Sequence, residues 1–199
     1  MRRAALFTLA LALSACGGEP LGQTWEVDEG GNPVPGTERT VWTQDEVVAI
    51  RQGLAANVAY NIECGGVLRP FRGEVMLFSA RNFGGECNVM KGKGLPPAPP
   101  QNMAISFNDP TAKWKSGKSW NDKVRSLKAR EPGTSALFGH VGMCIRLRQS
   151  VKGGDSPTFG NALFEMGPDG TLSKGSLAPF DDASFMVVRY KDASGACPL

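Results

Sequence analysis

Hydrophobic positions along the chain follow three successive rhythms. Residues 4–13 are apolar except for Thr8 and follow the positive triplet Met1, Arg2, Arg3. That block is shorter than the ~20 residues a bilayer span needs and has the layout of a signal segment. Residues 17–39 are rich in Gly, Pro and Glu, with no apolar period, which predicts a flexible spacer. At Thr43-Gln44-Asp45-Glu46 the sequence spells T-x-x-E, a capping box, and Val47, Ile50, Leu54 and Val58 follow at helical spacing. This predicts an amphipathic helix over roughly 44–59, within a 43–60 segment, packed on the domain behind it. Gly53 weakens that helix by about 1 kcal/mol relative to Ala. From Phe71 the pattern changes to short apolar runs separated by Gly, Asn and Pro. These predict antiparallel strands near 75–78, 86–90, 103–107, 141–148 and 161–166, with Asp169-Gly170 as a turn.

Composition narrows the possibilities. Apolar residues make up 41% and charged residues 21% of 199 positions, an ordinary globular balance. Gly 25 and Pro 14 amount to about a fifth of the chain, in keeping with turns and short strands. The formal charge is +3 and the lysines and arginines are scattered, so nothing points to nucleic acid. The single histidine, His140, excludes a His-rich metal centre and is expected to be structural. The sequence has no G-x-S-x-G, no H-E-x-x-H and no phosphate-binding loop. A non-catalytic protein is therefore expected.

Leu13-Ser14-Ala15-Cys16 resembles the bacterial lipobox. The resemblance implies a signal peptide over 1–15, acylation of Cys16, and a membrane partner reached through that anchor. Gly17, rather than Asp, after the cysteine favours the outer membrane over the inner. Residues 16–42 would then be a tether with a reach of roughly 25–30 Å. In an oxidising compartment Cys64, Cys87, Cys144 and Cys197 are expected to form two disulfides. Three pairings are open. The shorter loops favour Cys64 with Cys87 and Cys144 with Cys197.

Phe78-Ser-Ala-Arg-Asn-Phe83-Gly-Gly85 reads aromatic, four residues, aromatic, one residue, Gly. Trp120-Asn121-Asp122-Lys123-Val124-Arg125-Ser126-Leu127 follows downstream. The two together resemble the folded hairpin and the loop before the fourth strand of a βγ-crystallin Greek key. The resemblance implies a mainly β, βγ-crystallin-like Greek-key β-sandwich over 61–199, with one N-terminal α-helix ahead of it. A first key would occupy about 71–130 and a degraded second key about 141–190. It also implies that Phe78, Phe83, Gly85 and Ser126 carry the fold-back, with Ser126 hydrogen-bonding the hairpin. Aligning 180–188 with 120–128 puts Asp181 and Asp182 beside Asn121 and Asp122 in the family's calcium consensus. Arg125, Phe185 and Met186 then stand where hydroxyl ligands belong, so no cofactor is expected and calcium at most weakly.

Two further features concern partners. Leu95, Pro96, Pro97, Ala98, Pro99 and Pro100 form a stiff polyproline stretch, either a loop covering a sheet edge or an exposed peptide for a protein partner such as a protease. Small secreted microbial peptidase inhibitors resemble this fold too, which makes an inhibitor the alternative to a structural or binding role. Lys113, Lys115, Lys118 and Lys123 with Trp114 and Trp120 make a basic-aromatic run. It is expected to be a solvated hairpin with one Trp turned inward, or a contact for an envelope glycan.

Overall fold

The structure, a computed structural model, describes residues 18–28, 33–53, 58–91, 103–108, 112–131, 134–135, 139–140, 143–148, 162–178 and 183–190. The signal segment, Cys16, the 95–100 stretch, Asp181, Asp182 and Cys197 lie outside the described residues.

The segment expected to be a tether contributes two strands to the larger sheet. Strands β1 (Gly22–Glu26) and β2 (Arg39–Val41) pair antiparallel, with Gly22 opposite Val41. Leu21 and Val41 are the reason: both are buried, and the Leu21 N–H donates to the Val41 carbonyl at 2.8 Å. Gly22 reads as a linker glycine in the sequence but is a close-packing one. Its φ is +140°, and a Cβ there would lie 2.3 Å from the Asn61 carbonyl oxygen.

The helix is also shorter than the periodicity predicts. α1 covers Gln44–Arg51 and the capping box is complete: Thr43 Oγ1 accepts from the Glu46 N–H, and Glu46 in turn accepts from the Thr43 N–H. The Trp42 N–H, then that of Thr43, holds the Glu46 carboxyl below its usual range. Gly53 (φ +80°) takes the left-handed conformation that ends helices, and Val58 opens strand β3 (Val58–Glu63) instead of a last helical turn. Here a period of two outweighs a period of 3.6. Val58, Tyr60 and Ile62 face one way, and β3 pairs along all of β1.

The remaining strands are β4 (Glu74–Phe78), β5 (Cys87–Lys91), β6 (Met103–Ser106), β7 (Ser126–Arg130), β8 (Thr134–Ser135), β9 (Gly139–His140), β10 (Met143–Arg148), β11 (Ala162–Glu165), β12 (Thr171–Lys174) and β13 (Phe185–Tyr190). One sheet runs β12-β7-β4-β5-β3-β1-β2 and a second β11-β10-β13-β6, while β8 and β9 pair alone. Strands β4 to β7 make one four-strand unit and β10 to β13 another. Each unit places its third strand in the other's sheet: β6 lies beside β13, and β12 beside β7. Among the described residues the fold is thus mainly β, two main antiparallel sheets with one α-helix, in a βγ-crystallin-like Greek-key arrangement.

Two apolar cores result. Val75, Leu77, Leu127 and Ala129 of the larger sheet meet Ile145, Leu147, Met186 and Val188 of the smaller, around the fully buried Trp120 and Phe107. On the outer face of the larger sheet, Met76, Phe78, Val89, Tyr60 and Ile62 pack with Val47 and Ile50 of α1. β4 therefore alternates between two cores and is buried at every position. The helix is locked down by an ion pair. Arg51 Nη2 lies 2.9 Å from Glu74 Oε2, with both side chains at 1% exposure or less. The guanidinium also donates to the carbonyls of Cys64, Val67 and Arg69, and Glu74 accepts from the Tyr60 hydroxyl and the Phe71 N–H.

Candidate functional site

Phe78, Phe83, Gly85 and Ser126 meet in one clasp. The Ser126 hydroxyl donates to the Ala80 carbonyl at 2.7 Å and accepts from the Phe83 N–H at 3.0 Å, spanning more than forty residues of chain. Phe78 and Phe83 pack edge to face at 5.5 Å, and Lys128 Nζ lies 4.2 Å from the Phe83 ring centre. Asn82, Phe83 and Gly85 all have positive φ. At Gly85 a Cβ would stand 2.4 Å from Ser79 Oγ, which itself accepts from the Glu86 N–H. The clasp builds the fold and commits Ser126 to it. The residue is fully buried, with its hydroxyl donating one bond and accepting another.

That bears on the calcium consensus. Asn121 Nδ2 donates to Asp122 Oδ2 at 2.8 Å, and Asp122 sits at φ +54°, the pattern of a turn-forming Asn-Asp pair. The expected alignment of the second loop is one residue out. The Leu177 N–H donates to the Arg125 carbonyl, and the Phe107 N–H donates to the Ser184 carbonyl in the corresponding place. Val124 and Ala183 are likewise both in the inter-sheet core, as are Leu127 and Met186. Ser184, not Phe185, therefore corresponds to Arg125, and Phe185, not Met186, corresponds to Ser126. A one-residue slip would turn Met186 out of the core, and burial decides the register. No group of three or more His, Cys, Asp or Glu side chains suited to a metal occurs among the described residues.

Cys64 and Cys87 form a disulfide that joins β5 to the turn after β3. Cys144 is disulfide-bonded as well. The basic-aromatic run departs from expectation: both tryptophans turn inward, Trp114 at 3% and Trp120 at 0% exposure, while Lys113, Lys115 and Lys118 remain outside. They ride on a tight hairpin closed by the Trp114 N–H to the Lys118 carbonyl, and Ser116 pins its tip to Glu86.

This hairpin forms one wall of a cleft of about 420 Å³, whose floor belongs to the overhang of the larger sheet. The larger sheet extends past its four-stranded partner by β3, β1 and β2. On the overhang, the face continuous with the inter-sheet core carries Gln23 and Trp25 of β1, Asn61 and Glu63 of β3, and Asn88 of β5. The register confirms the grouping, with Gln23 opposite Asn61 and Glu63 opposite Asn88. Asn88 Nδ2 donates to Asn61 Oδ1 at 3.1 Å. Lys115 Nζ reaches Glu63 Oε1 at 3.5 Å, an ion pair outside hydrogen-bond geometry, while Gln44 donates to Glu63 Oε2. The indole nitrogens of Trp25 and Trp114 are buried without an acceptor among the described residues. A smaller recess beside the disulfide, about 210 Å³, shares Glu63, Asn88 and Lys115 with the cleft.

No family model matches the chain, and no curated protein does. A solved structure described as concerning the evolution of the eye lens βγ-crystallin domain fold is similar over 62% of this chain and 92% of that one. The identity is 16% and the TM-score 0.33. The fold assignment rests on the exchanged third strands and the Ser126 clasp. Sequence reading misses Trp25, Asn61, Glu63 and Asn88. The available signal is the alternation in 58–63, whose polar members all fall on one face.

Proposed function

We propose that the protein is a non-catalytic, lipid-anchored component of the cell envelope, whose βγ-crystallin-like domain serves as a binding module held close to the membrane. The reading rests on one observation above all. Leu21 is already fixed in the sheet, by backbone bonds to Val41 and Glu63. An anchor at Cys16 would leave only four residues, 17–20, between itself and the sheet, a span of at most about 17 Å. Glu19, Pro20 and Leu21 line the cleft, so such an anchor would hold its mouth next to the bilayer. The cleft's side chains suit recognition more than turnover. Its Glu63 carboxylate is partnered by Lys115 and Gln44, and the carboxamides of Asn61 and Asn88 hold each other. A resident cofactor is not part of the proposal, and calcium enters at most weakly, since Ser126 is committed to the clasp and Arg125 occupies a ligand position. Gly17, rather than Asp, after Cys16 supports the outer membrane over the inner. Fractionation of cells expressing Cys16→Ala tests the anchor: the variant is expected in the soluble fraction. Membrane retention equal to that of the unaltered protein would refute it.

A further inference from the structure

The cleft floor has an unusual composition for its position. Its opposite face packs on α1 and is apolar, as a buried face should be. The inner face continues directly from the inter-sheet core, yet is written in Asn, Gln and Glu with one indole, that of Trp25. We propose that this cleft is a saccharide site, taking a short neutral chain of N-acetylated amino sugar; the proposal rests on the binding-module reading above and names its ligand.

Four observations carry it. First, β1, β3 and β5 each pair on both edges. The floor strands thus offer an extended peptide no free ladder; the larger sheet's nearby free edge is the three-residue β2 at the rim, so recognition on the floor falls to side chains. Second, Lys113 and Lys115 are balanced by Glu19 and Glu63 around the same cleft, so the site favours neither a polyanion nor a polycation. Third, the Asn61–Asn88 bond fixes both amide planes and leaves Asn61 Nδ2 as donor and Asn88 Oδ1 as acceptor, without partners among the described residues. Adjacent sugar hydroxyls, each both donor and acceptor, match that pair. Fourth, the half-buried Trp25 lines the cleft with a flat apolar ring, while Trp114, at 3% exposure, belongs to the inter-sheet core. An acetamido group fits these features: its methyl gives the Trp25 ring an apolar contact, and its carbonyl and N–H match the Asn61 donor and the Asn88 acceptor. The volume, about 420 Å³, lies in the roughly 300–1,000 Å³ range of small-ligand sites.

The test titrates the full chain carrying Cys16→Ala with N,N′-diacetylchitobiose and with maltose, following tryptophan fluorescence and calorimetric heat. Saturable binding of diacetylchitobiose is expected, with maltose at least tenfold weaker. Asn61→Ala and Trp25→Ala, each checked for an unchanged melting temperature, are expected to weaken binding roughly tenfold. Leu163→Ala, at an exposed position on β11, is expected to leave it unchanged. No saturation by diacetylchitobiose at millimolar concentration overturns the proposal, as does equal binding of maltose or an unaltered affinity in Asn61→Ala. The unacylated chain is used throughout, so failure of the titration removes the ligand assignment while the fractionation experiment judges the anchor separately.

Discussion

Replacing Arg51 by Met tests the idea that α1 and its neighbouring turns are held by one buried charge pair. The substitution keeps an unbranched apolar stem and removes the guanidinium with its charge. Glu74, at 0% exposure, would retain the Tyr60 hydroxyl and the Phe71 N–H but lose its cation. The carbonyls of Cys64, Val67 and Arg69 would lose their common donor. Breaking a buried pair from one side costs about 3–5 kcal/mol. For a domain of this size each kcal/mol moves Tm by roughly 2–4 °C, so Tm should fall by about 6–20 °C. Urea denaturation followed by tryptophan fluorescence, at unchanged m-value, measures the loss. The decisive comparison is the double variant Arg51→Met with Glu74→Met. Removing both charges abolishes the uncompensated carboxylate, so the double variant should lose at least 2 kcal/mol less than the two single losses combined. Strict additivity, or a single-variant cost below about 1 kcal/mol, would refute the reasoning.

Ser126→Ala removes both bonds of the clasp in a fully buried setting and should cost about 2–4 kcal/mol by the same assay; a loss under about 0.5 kcal/mol would show the clasp to be idle. Replacing Cys64 and Cys87 together by Ala frees a loop with sequence separation 23. It should lower stability by about 3 kcal/mol, to be read from the shift in urea midpoint. Burial first, and then the charge of Glu74, keeps the Tyr60 phenol protonated far above the ordinary tyrosine range. Above about pH 10 the unfolded chain releases that proton and the folded chain does not. Stability should therefore fall there by up to ~1.4 kcal/mol per pH unit, and Tyr60→Phe should flatten the fall. Lys91, pushed down by burial, contributes an opposite slope at lower pH, so the comparison is made between the variant and the unaltered protein. Calorimetric titration should show no saturable calcium binding at micromolar concentration; such binding would mean that the 121–126 loop offers oxygens other than the Ser126 hydroxyl.

The parts of this fold that are legible in the sequence are those whose physics is local. Thr43 and Glu46 stand three residues apart and cap one helix end, and the Phe78–Gly85 spacing encodes a hairpin that only unusual backbone conformations can close. The end of α1 is hidden because Val58 serves two patterns, last in the series Val47, Ile50, Leu54 and first in the alternation Val58, Tyr60, Ile62. Tertiary pairing with β1 decides between them. β1 itself has little apolar signal, since Gln23 faces the cleft and Thr24 the outer core. Nothing in spacing could assemble the cleft, whose residues 25, 61, 88 and 114 are brought together by strand order alone, nor pair Arg51 with Glu74 across 23 positions.

The exchanged third strands have a consequence for the order of events in time. β6 is completed only by β13, where Ser106 meets Phe185, and β7 gains its outer neighbour only from β12. A chain emerging amino end first therefore has no self-sufficient half. Its first key can gather the Phe78 hairpin but must leave β6 unpaired until nearly the whole polypeptide has appeared. Contacts this distant in sequence are slow to form, with such topologies typically folding over roughly milliseconds to seconds. Any break between the keys would strand one borrowed strand on each side, so the two units are kept or lost together.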